Sequence, residues 1–206
     1  MTDEERRIRR ATFLKAGLVT AAAIPAVAGE VLRAPRADAG PLTPTPMCDD
    51  GDGPTHEQME GPYFKPNSPE RADLREPGMP GTPLVVSGFV YSISCKPLAN
   101  VLLDFWQADN AGVYDNTGYT LRGHQFTDAE GRFRLDTIVA GLYPGRTRHI
   151  HVKAQAPNQP ILTTQLYFPG EPGNNWDQIF DPALLMAVQD GPEGKIATFD
   201  FVLNLP

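Results

Sequence analysis

From residue 84 onward the chain alternates short apolar runs with turns. Leu84 to Tyr91 is rich in β-branched and aromatic residues, and Val101-Leu102-Leu103-Asp104-Phe105-Trp106 has the same character. Gly131 to Asp136 alternates strictly between polar and apolar, directly after the turn signal Asp128-Ala129-Glu130-Gly131. His149 to Gln155, Ile161 to Phe168 and Ile196 to Leu205 complete the set. A period of two puts alternate side chains on opposite faces, so these runs predict strands. Only Pro182 to Gln189 reads as helical, with Asp181 as its N-cap. No internal repeat is present. Six or more strands with almost no helix predict an all-β fold, an antiparallel β-sandwich with a short C-terminal helical turn.

Composition agrees with that pattern. The 206 residues are 41% hydrophobic, enough for a core, and include 21 Pro and 19 Gly, which disfavour a helical bundle. The charge is uneven. Residues 1–39 carry seven Lys/Arg against five Asp/Glu, whereas residues 40–206 carry eleven against twenty. A body this acidic is a poor surface for nucleic acid.

The first residues read as an address. Four arginines and Lys15 precede a mildly apolar stretch from Ala16 to Ala28, too short and too weakly hydrophobic for a stable membrane anchor. Arg9-Arg10-Ala11-Thr12-Phe13-Leu14-Lys15 resembles a twin-arginine export signal, and cleavage near Ala28 or Ala39 would release the chain. Residues 1–39 are therefore expected to be an export signal and the start of a linker, 40–47 the rest of that linker, and 48–206 the domain. The two cysteines, Cys48 and Cys95, suit a disulfide in an exported protein.

Candidate chemistry centres on the histidines. Of four, His149 and His151 lie two apart in a predicted strand, which puts both imidazoles on one face and Ile150 on the other. Two neutral imidazoles on one face can ligate one metal. Gly141-Leu142-Tyr143-Pro144-Gly145 presents a tyrosine six residues before His149, with Arg146 and Arg148 between. Arginines there disfavour imidazolium and suit a site that handles anions. Tyr114 lies on a polar turn after Trp106. Trp106 and Trp176 are read as core or pocket wall, His124 as a neighbour of the site or a surface group. Two other readings fit these residues: an exported non-catalytic module binding carbohydrate or protein, and a sandwich binding copper or zinc.

A longer series of motifs narrows the choice. Glu60-Gly61-Pro62-Tyr63-Phe64 comes first, then Cys95-Lys96-Pro97-Leu98-Ala99-Asn100-Val101, Asp104-Phe105-Trp106-Gln107-Ala108-Asp109 and Gly112-Val113-Tyr114. Leu121-Arg122-Gly123-His124-Gln125-Phe126-Thr127-Asp128 and the stretch from Gly141 to His151 follow in order. Together, over residues 48–206, they resemble the intradiol ring-cleavage dioxygenases, the family of catechol and protocatechuate dioxygenases. The resemblance implies a non-haem ferric iron held by Tyr114, Tyr143, His149 and His151. It implies an active-site role for Arg146 and a place near the substrate ring for Gln165. The implied reaction splits a small aromatic diol with dioxygen, both oxygen atoms entering a cis,cis-muconate-type diacid. Nothing here resembles the family's helical dimerisation segment, and the loop from Tyr143 to His149 is short. The resemblance therefore points to a compact, exported subgroup and leaves room for a homo-oligomer.

Overall fold

The computed structural model describes residues 53–206. The expected export signal, the expected linker and Cys48 lie outside the described residues; Cys95 is disulfide-bonded. The described residues contain nine strands and two single-turn 3-10 helices, the strands being β1 (Pro83–Ser92), β2 (Leu102–Trp106), β3 (Arg122–Phe126), β4 (Arg132–Ile138), β5 (His149–Gln155), β6 (Leu162–Tyr167), β7 (Ala187–Gly191), β8 (Gly194–Thr198) and β9 (Phe201–Leu203).

The strands form two sheets. One has four strands in the order β3-β2-β5-β6, and the other has the order β4-β1-β8-β7 with β9 also on β1. The β-sandwich expectation holds, with one correction. The four-stranded sheet is antiparallel throughout, but β1 pairs parallel with both β8 and β9. The reason is local. The last apolar run, Ile196 to Leu205, breaks at Phe199-Asp200, and its two halves lie along successive parts of β1. At the break Gly88 is required, because a Cβ there would sit 1.9 Å from the Phe199 carbonyl oxygen.

Alternation then builds the core. Leu84, Val86 and Val90 of β1, Leu103 and Phe105 of β2, Leu135 of β4, and Ile150, Val152 and Ala154 of β5 all face inward and are buried. Each fully buried Leu, Ile or Phe contributes roughly 1.5–3 kcal/mol relative to exposure. The predicted helix shrinks to one turn. Asp181 does cap it, accepting from the Ala183 amide, but Pro182–Leu184 is all that is helical, and Ala187–Gly191 is an edge strand paired with β8. Trp106 is buried, as expected, whereas Trp176 is 57% exposed and belongs to no core.

Residues 53–75 have no regular structure but a definite path, and we call them the strap. It leaves β9 at Thr55, whose amide donates to Val202. It then crosses the outer face of the four-stranded sheet, with Gln58 bonded to Thr163 and the Gln165 amide donating to Met59 O. It meets the far edge, where Arg71 and His124 bond through their backbones, and ends against Asp136 of β4. Ser68 pins it from below, donating to Asp104 at 2.8 Å and contacting His124 Nδ1 at 3.1 Å.

Candidate metal centre

The outer face of β5 sets the site. Ile150 and Val152 point into the core, so His149 and His151 point the other way, under the strap; they are 4% and 3% exposed. Antiparallel register places Trp106 and Gln165 beside His151, and Tyr167 beside His149. Trp106 stacks on the His151 ring at 4.7 Å and 6°. The two Nε2 atoms are 3.1 Å apart. His149 Nδ1 lies 2.7 Å from Thr147 O, a geometry in which Nδ1–H donates and Nε2 is left with its lone pair. Burial pushes both imidazoles down, His149 to about 4 and His151 well below its ordinary value. Arg146 acts in the same direction on both. Both rings are therefore neutral near pH 7.

The tyrosines arrive on two loops. Asp109 organises the first by accepting from the Ala111 and Val113 amides. The second follows β4. Their backbones cross at two glycines: a Cβ on Gly112 would lie 2.1 Å from Leu142 O, and one on Gly141 would lie 2.1 Å from Asp109 O. Gly112 also has φ of +84°, a conformation glycine adopts freely. This crossing fixes the separation of Tyr114 and Tyr143, whose rings meet edge to face at 5.8 Å. The Tyr114 hydroxyl is 3.2 Å from His149 Nε2. Tyr143 joins the cluster differently, through a 2.7 Å bond to the hydroxyl of Tyr63 on the strap. Tyr63 in turn stacks on Tyr114 at 4.5 Å and 11°.

Arg146 and Gln165 also meet. Arg146 Nη2 donates to Gln165 Oε1 at 2.7 Å, and its Nε donates to Asp177 at 2.8 Å. Asp177 accepts from the Thr147 amide as well. The guanidinium and the strand entry leading to His149 thus share one carboxylate. Gln165 is oriented at both ends, by Arg146 and by Met59 O of the strap. Tyr167 contacts Arg146 and Gln165; burial pushes its phenol up to about 12 and keeps it neutral. Arg148 stays outside this group. It bonds Glu171 and the Ala140 carbonyl, bracing the tyrosine turn.

Whether these donors suit a metal can be judged from the chain itself. Among the described residues, no three His, Cys, Asp or Glu side chains form a metal-binding group, so the oxygen donors nearest the two histidines are the tyrosines. Two neutral imidazole nitrogens and phenolic oxygens, without thiolate, suit a hard or borderline cation. Burial raises the Tyr114 phenol strongly, so its phenolate form calls for a neighbouring cation. The His151 Nδ1 atom is buried without a hydrogen-bond partner, while its Nε2 faces that of His149. The donor set fits.

All six residues singled out in the sequence lie in one region, in two linked clusters. Four further ones enter: Tyr63, Tyr167, Asp177 and Arg122. Tyr63 and Arg122 stood within the motifs and Tyr167 within the strand that carries Gln165, none with a separate signal, and Asp177 had none. His124 does not reach the site, and His56 pairs instead with Asp181 at 2.6 Å.

The chain is similar to known proteins in both sequence and fold. A family model described as Dioxygenase matches residues 59–204. The protocatechuate 3,4-dioxygenase beta chain of Burkholderia cepacia is 36% identical over 118 residues, covering 48% of this chain and 50% of that protein. Catechol 1,2-dioxygenase 2 of Acinetobacter lwoffii is 31% identical over 147 residues, covering 59% and 54%. The chain thus spans about half the length of these curated relatives. Among solved structures, the dioxygenase domain of a dioxygenase–carbohydrate-binding protein fusion from the cellulolytic bacterium Streptomyces sp. SirexAA-E is 65% identical with a TM-score of 0.74, covering 75% of this chain and all of that one. The 3-chlorocatechol 1,2-dioxygenase of Rhodococcus opacus 1CP is 30% identical with a TM-score of 0.68, covering 75% and 74%. With the family model spanning the whole site and both sheets, the chain belongs to the intradiol ring-cleavage dioxygenase family.

Proposed function

We propose that this protein holds one non-haem ferric iron through Tyr114, Tyr143, His149 and His151 and uses it to split a catechol-type diol between its two hydroxylated carbons. The observation that carries this reading is the meeting of two neutral Nε2 atoms with a buried phenol: 3.1 Å between the nitrogens, 3.2 Å from Tyr114 to His149. Bound ferric iron would draw electron density from the diol and make it reactive towards dioxygen, which combines slowly with closed-shell rings by itself.

The chain's own groups do the rest. Tyr114 and the two histidines are immobilised by the glycine crossing, by Thr147 O and by Trp106, so the site needs little rearrangement. Tyr143, held by Tyr63, would take a proton from an arriving diol when its oxygen is present as phenolate. Arg146, anchored on Asp177, presents a fixed positive charge beside Gln165, where negative charge on the opening ring would be stabilised. Gln165 has its amide locked and would orient the ring. The product is a muconate-type diacid that keeps both oxygen atoms. We also read residues 1–39 as a twin-arginine-type export signal and the start of a linker, a reading supported by the disulfide at Cys95.

The test is metal analysis, the visible spectrum and oxygen uptake on the purified protein with a panel of diols: catechol, protocatechuate and hydroxyquinol. A reddish protein with one iron and ring-opened diacid products is expected. A colourless protein with stoichiometric zinc, or products cut outside the diol, would sink the proposal.

A further inference from the structure

Arg122 is 2% exposed, one of the largest fully buried side chains, and the reaction outlined above does not use it. A buried guanidinium is costly unless its donors are paired. Here Nε donates to Asp115 O at 3.0 Å and Nη1 donates to Tyr63 O at 2.6 Å, while Nη2 is buried without a partner. Those two carbonyls are well chosen. One belongs to the residue after Tyr114 and the other to Tyr63 itself, and the rings of Tyr114 and Tyr63 are the stacked pair. Arg122 also lies opposite Trp106 in the sheet, and Trp106 is the ring on which His151 rests. Its own carbonyl accepts from Arg71 of the strap, so the tie runs both ways.

We propose that Arg122 is a positioning residue: its planar fork clamps the strap to the Tyr114 loop and thereby holds the stacked tyrosines over the histidines. The guanidinium fork suits this task because its donors diverge at fixed angles in one plane, which a lysine ammonium cannot reproduce. An apolar side chain of similar length would fill the space and leave both carbonyls without a partner. The role rests on the iron reading for its spectroscopic part and on the strap geometry alone for the rest.

The experiment compares wild type with Arg122→Met and Arg122→Lys in the full chain. In the iron-loaded proteins, Arg122→Met should shift the tyrosinate-to-iron absorption band and lower kcat about tenfold, and Arg122→Lys should recover part of both. In metal-free protein, amide hydrogens of residues 59–66 should exchange about tenfold faster in Arg122→Met. A folded Arg122→Met with unchanged band, kcat and exchange would overturn the clamp. If that variant does not fold, Arg122→Lys decides, and wild-type values throughout would overturn it. If wild type itself carries no visible band, the iron assignment is what fails. The exchange comparison then still decides the clamp, and equal rates overturn it.

Discussion

The outer faces of the two sheets treat polar side chains in opposite ways. On the five-stranded sheet, charges form local pairs whose cations reach into water: Arg134 with Asp136 at 2.7 Å and Lys195 with Asp190 at 2.5 Å. On the four-stranded sheet, His149, His151, Gln165 and Arg122 are buried under the strap, and they bond to backbone carbonyls, to one another and to the tyrosines. The first arrangement costs little and contributes little. The second carries a desolvation cost for every group it hides. A fold bears that cost where chemistry needs a dry, fixed environment, so the costlier face marks the site.

The largest expected effect breaks the costly face outright. Tyr114→Phe should lower turnover by about three orders of magnitude or more and weaken and shift the visible band. Unchanged colour in that variant would remove Tyr114 from the metal-binding set.

The next concerns the histidines without metal. His149 is held near 4 when folded, against 6.5 unperturbed, so the unfolded chain binds the extra proton between those values. Stability from this group is full above about pH 6.5 and is lost as pH falls towards 4, by on the order of 3 kcal/mol. His151 acts in the same direction. Urea unfolding of the metal-free protein across that window should show the loss, and a flat profile would contradict it.

Arg146→Met tests the charge beside Gln165, and kcat should fall about a hundredfold while iron content stays constant. The smallest effect belongs to the other face. Arg134→Ala should change unfolding free energy by less than about 0.5 kcal/mol, since the guanidinium is largely exposed and Arg75 still pairs with Asp136. A larger loss there would erase the contrast between the two faces.

Legibility followed the same division. Strands with one buried face announce themselves by alternation, and His149 to Gln155 has the bounds its pattern predicts. Strand β3 did not stand out, because Arg122-Gly123-His124-Gln125 offers no apolar rhythm: its pairing rests on backbone bonds to β2. The edge strand β7 was hidden behind a genuine cap at Asp181 that starts only one helical turn. At the site, the motif series picked out the two tyrosines and the two histidines. It did not separate Tyr63, Arg122, Asp177 or Tyr167, because what these residues do depends on the strap and the loop after β6 folding back across the sheet. Nothing in local sequence spacing encodes that return.

The strap has one more consequence, for solubility. A flat sheet with bare rims invites other chains to add strands to it. Gln58 occupies the rim of β6 and Arg71 the rim of β3, so the segment that roofs the histidines also occupies backbone groups on both rims. A variant whose roof has lifted would then expose unpaired strand edges, and clumping would accompany lost turnover.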